Sequence, residues 1–236
     1  MSLQLITFDL DNTLWDVDHV ITNAETAMRT WLQEHVPEVV HLYDSGEVAN
    51  IRDAVVAAEP DVRHDLSMLR TRVVQRSIEH TGRNAAEAAE LARRAFDVFY
   101  EGRHKVSYFE HALEVLDELS RSYTLAALTN GNADFRRLGL DRYFSFGFCS
   151  ADVGASKPAP DMFHAALKHA DAQPHQAVHI GDHEHDDIHG ASSVGMHTIW
   201  VSFDRSEPEH ADPTGTVSSL ADLPAEVDRI SREHGR

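Results

Sequence analysis

Asp9 and Asp11, one residue apart, follow a short apolar run at the start of the chain. At a strand end, both carboxylates of such a pair reach into the crevice where open α/β sheets bind ligands. One can coordinate a metal and attack phosphorus while its neighbour trades protons. An acidic pair of this kind also serves simply to cap a turn. Thr129-Asn130-Gly131-Asn132 brings a hydroxyl, an amide and a glycine N–H to a second strand end. Together these suit an anionic oxygen backed by a helix N-terminus, or they form a polar turn. Lys157, held before Pro158 and Pro160, offers either a fixed positive point for a phosphoryl group or a solvated lysine. Asp182 closes a further apolar run, where an oxygen ligand for a hard cation belongs, and Asp187 opens the next helix, where N-capping alone would account for it.

The elements that position these residues are legible in the pattern. Residues 3–8 read as a buried strand ending at Asp9. From residue 18 to 103 the texture is helical, in four stretches. The first carries Val20, Ala24, Met28 and Leu32 on one face and stops at Pro37. The second covers about residues 45–58, the third runs from about Asp65 to Gly82, and the fourth opens on Asn84 as N-cap. Helices and strands then alternate: helix 108–119, strand 123–128, a short helix near 133–138, strand 144–149, helix 161–170, strand 177–180, helix 187–194 and strand 198–201. That alternation predicts an α/β fold, a parallel sheet with helices on both faces. Residues 206–215 read as an exposed loop. All four chemical groups therefore fall at C-terminal strand ends, in an order that brings them to one crevice.

Composition excludes several classes. With 21 Lys+Arg against 39 Asp+Glu, the formal charge of −18 disfavours a nucleic-acid partner, whose phosphates need basic patches. No apolar run reaches the roughly 18 residues of a membrane helix, so no membrane partner is expected. The first residues lack the basic segment of a secretory signal, and the one cysteine cannot form an internal disulfide, which makes the cytoplasm the expected compartment.

With these motifs in this order, the chain resembles the haloacid dehalogenase-like (HAD) superfamily. The resemblance implies a Rossmann-like catalytic core over residues 1–17 and 104–236 and a four-helix cap of C1 type over residues 18–103. It further implies Asp9 as nucleophile, Asp11 as general acid and base, and Thr129 and Lys157 as phosphoryl binders, with Asn130 and Gly131 beside them. Mg²⁺ would be held by Asp9, Asp182 and the Asp11 carbonyl, with Asp187 supporting its water shell or orienting Lys157. Three carboxylates, Asp9, Asp182 and Asp187, at one crevice concentrate charge that a hard cation would make tolerable. Within the superfamily, Phe8–Leu14, Glu59-Pro60-Asp61, His64-Asp65, Leu128–Ala133 and Ser156-Lys157-Pro158 resemble the YigB-type flavin mononucleotide phosphatases.

The expected partner is thus a small phosphomonoester, with flavin mononucleotide or the phosphorylated ribitylaminouracil of riboflavin synthesis as candidates. Trp15, Trp31, Arg70, Arg72 and Arg76 would supply flat surfaces for a heteroaromatic leaving group, or else pack as cap core and solvated charge. The alternatives are a nucleotide or sugar-phosphate phosphatase, a phosphomutase, and a metal-binding protein using His175, His179, His183, His185 and His189. His-Glu-x-x-His fails in that histidine run because position 187 is Asp. Dehalogenation is disfavoured by Asp11, which the dehalogenases of this fold lack. Oligomeric state is not legible.

Overall fold

The computed structural model describes residues 3–204 and 208–234. The chain divides into two compact units, Met1–Asp16 with Ser107–Arg236, and Val17–Val106.

The first unit is built on β1 (Leu5–Phe8), whose four residues are all buried. Both faces of this strand are covered, so it reads as a continuous apolar run rather than an alternating one. β2 (Thr124–Thr129) and β3 (Phe144–Cys149) lie to one side, and β4 (Ala177–Gly181), β5 (His197–Val201) and β6 (Gly215–Val217) to the other. The order is β3-β2-β1-β4-β5-β6, and every pair is parallel. The chain leaves β1 outward to β2 and β3, then crosses back to β4. The order therefore reverses between β1 and β4, and a crevice opens past their carboxyl ends. On one face, Met162, Phe163, Ala166 and Leu167 of a helix at Asp161–His169 pack on Leu5, Ala126, Leu128 and Phe146. Helices Ala112–Ser120 and Leu223–His234 pack against each other, the former also against β2.

The second unit is a helical bundle: α1 (Val17–His35), α2 (Val40–Asp44), α3 (Glu47–Ala58), α4 (Leu66–His80) and α5 (Ala85–Arg103). One apolar cluster from Ala24 to Phe99 forms its core. Asp65 caps α4 by accepting from Met68 N at 2.8 Å, and Asn84 caps α5 by accepting from Glu87 N at 3.0 Å. Among the described residues, no helix is long and apolar enough to cross a membrane.

The structure departs from the sequence reading at several elements. Residues 133–138 form no helix: 133 and 134 are irregular and a turn covers 135–139, where Asp134 Oδ1 takes the Arg136 N–H at 2.9 Å in competition with helical pairing. The helix read at 108–119 starts only at Ala112, since Phe109 N donates to Leu14 O at 2.8 Å and Tyr108 bridges to Trp15. The turn carrying Asp187 begins at Glu184 as a wide π-helical turn to His189, continued by Gly190–Ser193. Its cap is His183, whose Nδ1 accepts from Asp186 N at 3.1 Å, so Asp187 is not the N-cap. β6 and the helix Leu223–His234 complete the unit beyond the elements expected from the sequence. Of the segment read as a loop, residues 206 and 207 lie outside the described residues, as do Met1 and Ser2 of the amino terminus; 208–214 are irregular and Gly215 begins β6.

Candidate active site

Asp9 follows β1 directly, and its N–H donates to Ile180 O at 2.8 Å, extending the β1–β4 pairing one step past the strand. That places its carboxylate at the mouth of the crevice. Thr129 ends β2, Asp182 follows β4, and Lys157 lies on the connection between β3 and the helix at Asp161. Asp9, Asp11, Thr129, Asn130, Gly131, Lys157, Asp182 and Asp187 all line one crevice of about 140 Å³, together with Asn12, His183 and Asp186.

Lys157 is the centre of the arrangement. The residue is 4% exposed, and its ammonium donates to Asp9 Oδ1 at 2.7 Å, Asp187 Oδ1 at 2.6 Å and Leu128 O at 2.8 Å. Three donors thus meet three acceptors, which is what a buried ammonium needs. Burial by itself would pull Lys157 down, but Asp187 and Asp9 hold it above its ordinary value, and it stays charged. Burial would likewise raise Asp187; Lys157 and His179 outweigh it and keep this carboxyl well below the usual range. Asp9 goes the other way. Burial pushes it well above the ordinary carboxylate value, against Lys157, with Asp187, Asp182 and Asp11 adding to the rise.

Asp11 is oriented by Trp15, whose Nε1 donates to its Oδ1 at 2.9 Å. Asn12, at φ 60, turns the chain so that its N–H reaches Trp15 O at 2.8 Å. Trp15 is fully buried, so it supplies no surface to a leaving group, and that expectation is corrected. Trp31 is half-buried and stacks on His35, while Arg70 pairs with Glu25, Arg72 with Glu59 and Arg76 with Glu79. These groups of the second unit are committed to one another.

The turn after β2 also differs from expectation. The Gly131 N–H donates to Thr129 Oγ1 at 2.9 Å rather than facing the crevice, and no helix stands behind it. Asn130 does not turn its amide to an anion either. Its Oδ1 accepts from Lys157 N at 2.7 Å and Ser150 Oγ at 3.1 Å, and its Nδ2 donates to Lys157 O at 3.0 Å and Asp186 Oδ2 at 3.2 Å. Both polar atoms are engaged twice, and the residue clamps the lysine's main chain. Of the three groups expected to converge on an anion, the Thr129 hydroxyl is the one left to donate.

Asp9, Asp182 and Asp187 each bring a carboxylate oxygen within 4.8 Å of the others, the one such ligand set among the described residues. Asp182 accepts from Thr13 Oγ1 at 3.0 Å, yet burial and Asp187 push it up to about 6. Five carboxylates and one ammonium line the crevice. Hard oxygen donors under mutual repulsion fit a hard divalent cation, which would relieve that repulsion. The histidines at 175, 183, 185 and 189 do not join this set; His185 and His189 stack on each other with ring centroids 5.5 Å apart.

Residues 3–195 match the haloacid dehalogenase-like hydrolase family. The chain belongs to that family. It is 30% identical to the 5-amino-6-(5-phospho-D-ribitylamino)uracil phosphatase YigB of Escherichia coli, over 97% of this chain and 94% of that one. It is 32% identical to a phosphoserine phosphatase of Thermus thermophilus, over 65% of this chain and 63% of the relative. A crystal structure described as a 2-haloacid dehalogenase from Pseudomonas syringae superimposes with a TM-score of 0.91 at 39% identity, covering 96% of this chain and 99% of that one.

For three residues of this haloacid dehalogenase-like site the sequence does not give the role that the structure shows. Thr13 carries no local signal, because its partner is Asp182, far along the chain; Trp15 has its partner only four residues back, but an indole among apolar residues reads as packing rather than as a donor. His179 did carry a signal: it is a polar residue inside the apolar strand β4.

Proposed function

We propose that this hydrolase is a Mg²⁺-dependent phosphomonoesterase that works through an aspartyl phosphate on Asp9. The observation that carries the reading is the Lys157 ammonium, held 2.7 Å from Asp9 beside a cluster of three carboxylates. Asp9 attacks phosphorus in line, and the ester P–O bond breaks. Asp11 gives its proton to the departing alkoxide; Trp15 on Oδ1 assigns that proton to Oδ2. Asp11, now a carboxylate, takes a proton from the water that attacks phosphorus. Phosphate leaves, Asp9 is restored and Asp11 is again protonated. Lys157 keeps a fixed positive charge beside the attacking oxygen throughout, and the Thr129 hydroxyl donates to an equatorial oxygen. Asp9, Asp182, Asp187 and the Asp11 carbonyl would hold Mg²⁺, whose charge offsets that of the phosphoryl oxygens.

A crevice of about 140 Å³ is well under the roughly 300 Å³ at which pockets for larger ligands begin. It suits a phosphoryl group, and leaving-group recognition falls to other surfaces. Similarity to the E. coli phosphatase along nearly the whole chain supports a phosphorylated ribitylaminouracil as substrate; the motif resemblance to flavin mononucleotide phosphatases adds that flavin as a second candidate.

A second reading, haloacid dehalogenation, is favoured by the 39% identity to the Pseudomonas syringae protein. Asp11 speaks against it. A halide leaves without a proton, so a second, tryptophan-oriented carboxyl would have nothing to do, whereas an alkoxide needs one. The test is a side-by-side assay with Mg²⁺ of flavin mononucleotide, ribitylaminouracil phosphate, glycerol phosphate and 2-chloropropionate. The proposal expects phosphate release, with the highest kcat/KM on the two heteroaromatic substrates. Chloride release without phosphate release would overturn the reaction class. Equal turnover of glycerol phosphate would remove the flavin-type assignment.

A further inference from the structure

His179 is fully buried in β4, between Val178 and Ile180, where an apolar side chain would pack as well. It stands in register with Thr7 on β1. Both ring nitrogens are engaged: Nδ1 lies 2.7 Å from Thr7 Oγ1 and Nε2 lies 3.1 Å from Asp187 Oδ1. The edge-on Phe163 ring, 5.1 Å away, closes one side. The Asp187 carboxylate only accepts, and its Oδ1 already receives a proton from Lys157 at 2.6 Å. The imidazole hydrogen therefore sits on Nε2. With the ring neutral, Nδ1 accepts the Thr7 hydroxyl proton, and Thr7 sets the tautomer.

We propose that His179 is a positioning residue: its Nε2–H fixes the Asp187 carboxylate, and through it the Lys157 ammonium beside Asp9. Asp187 Oδ2 is held by the His183 N–H at 3.0 Å, so three donors in all clamp this carboxylate. One comes from the catalytic lysine, one from the turn and one from the sheet. The last is the only side-chain donor of the three that is anchored on a strand. Without it Asp187 can rotate toward its remaining donors, and Lys157 moves with it. The role rests on the reading of Asp9 and Lys157 as the phosphoryl-transfer pair.

The test has two arms. The first is ¹⁵N NMR of histidine-labelled, chelator-treated native protein. It should show, for His179, a hydrogen-bearing Nε2 with a downfield, exchange-protected proton and an unprotonated Nδ1; Thr7→Val should abolish the lock on that tautomer. The second arm compares His179→Phe with His179→Gln, whose terminal amide can put an N–H where Nε2 stood. His179→Phe should lower kcat by about 10- to 100-fold, as loss of a partner of a ligand side chain generally does. KM should stay within about threefold, and the Gln variant should recover most of the kcat. An Nδ1–H tautomer would overturn the proposal. So would native kcat in the Phe variant, or an equal loss in the Gln variant when thermal unfolding shows both folded. Failure of the native protein on every phosphomonoester would overturn the proposed function alone, because the NMR arm reads Nε2–H without substrate.

Discussion

The Asp187 carboxylate occupies the space in which a side chain of residue 181 would begin. A β-carbon on Gly181 would stand 2.3 Å from the Asp187 carboxyl carbon and from its Oδ2. The glycine is there for that close approach. Gly181→Ala should lower stability by about 1–3 kcal/mol, as overpacking of a tight site does. It should also reduce kcat, because the displaced carboxylate is the one bonded to Lys157. Thermal unfolding and steady-state kinetics on the same preparation check both; an alanine variant with native kcat would separate Gly181 from the site.

Asp9→Asn should reduce turnover by roughly a thousandfold or more, the scale seen when a covalent nucleophile is removed. Asp11→Asn should slow both release of the alcohol and hydrolysis of the phosphoenzyme. Rapid acid quench with a ³²P substrate distinguishes them: no label on the Asp9 variant, slowly formed and slowly lost label on the Asp11 variant. Near-native turnover by Asp9→Asn would remove the covalent mechanism.

Exhaustive chelation should abolish phosphatase activity, and Mg²⁺ should restore it. The charge of the crevice is the reason, since a phosphate dianion approaching five carboxylates and one ammonium is repelled. Activity that survives chelation would break the assignment of Asp182 and its neighbours as cation ligands.

Asp182 yields a pH prediction with a definite sign. Its carboxyl is raised from 3.8 to about 6 in the folded protein, so the native state binds the proton more tightly than the unfolded chain. Its contribution therefore favours the native state below about pH 4 and is lost as the pH rises through 6. In chelator, Asp182→Asn should raise Tm at pH 8, with the gain shrinking toward zero as the pH falls to 4. Excess Mg²⁺ should reverse the order, stabilising the native protein by mass action more than the variant. Parallel thermal scans across pH, with and without Mg²⁺, measure it.

The chemistry was legible because it lies at strand ends, and strand ends are marked by abrupt change from apolar to polar residues. Leu5–Phe8 before Asp9 and Ala177–Gly181 before Asp182 are such boundaries. The helix Leu223–His234 carries the same kind of signal, with Leu223, Val227 and Ile230 buried at helical spacing. β6, three residues long, is too short for any period to show.

The sequence by itself determined which residue types gather at the crevice, the parallel α/β order and the helical insertion, because these follow from local periodicity. What each side chain does there was decided only by the tertiary structure. Asn130 read as an anion binder and is a clamp on Lys157; Gly131 read as a donor to substrate and serves Thr129; Trp15 read as a substrate surface and orients Asp11. His179 read as one of five histidines that could hold a metal and is buried against Asp187. Each of these roles depends on which donor meets which acceptor, and those partners lie as much as 172 residues apart along the chain, as in Thr7 and His179. Hydrogen bonds act over about 3 Å, so only the folded chain, which brings strand ends into register, settles who holds whom.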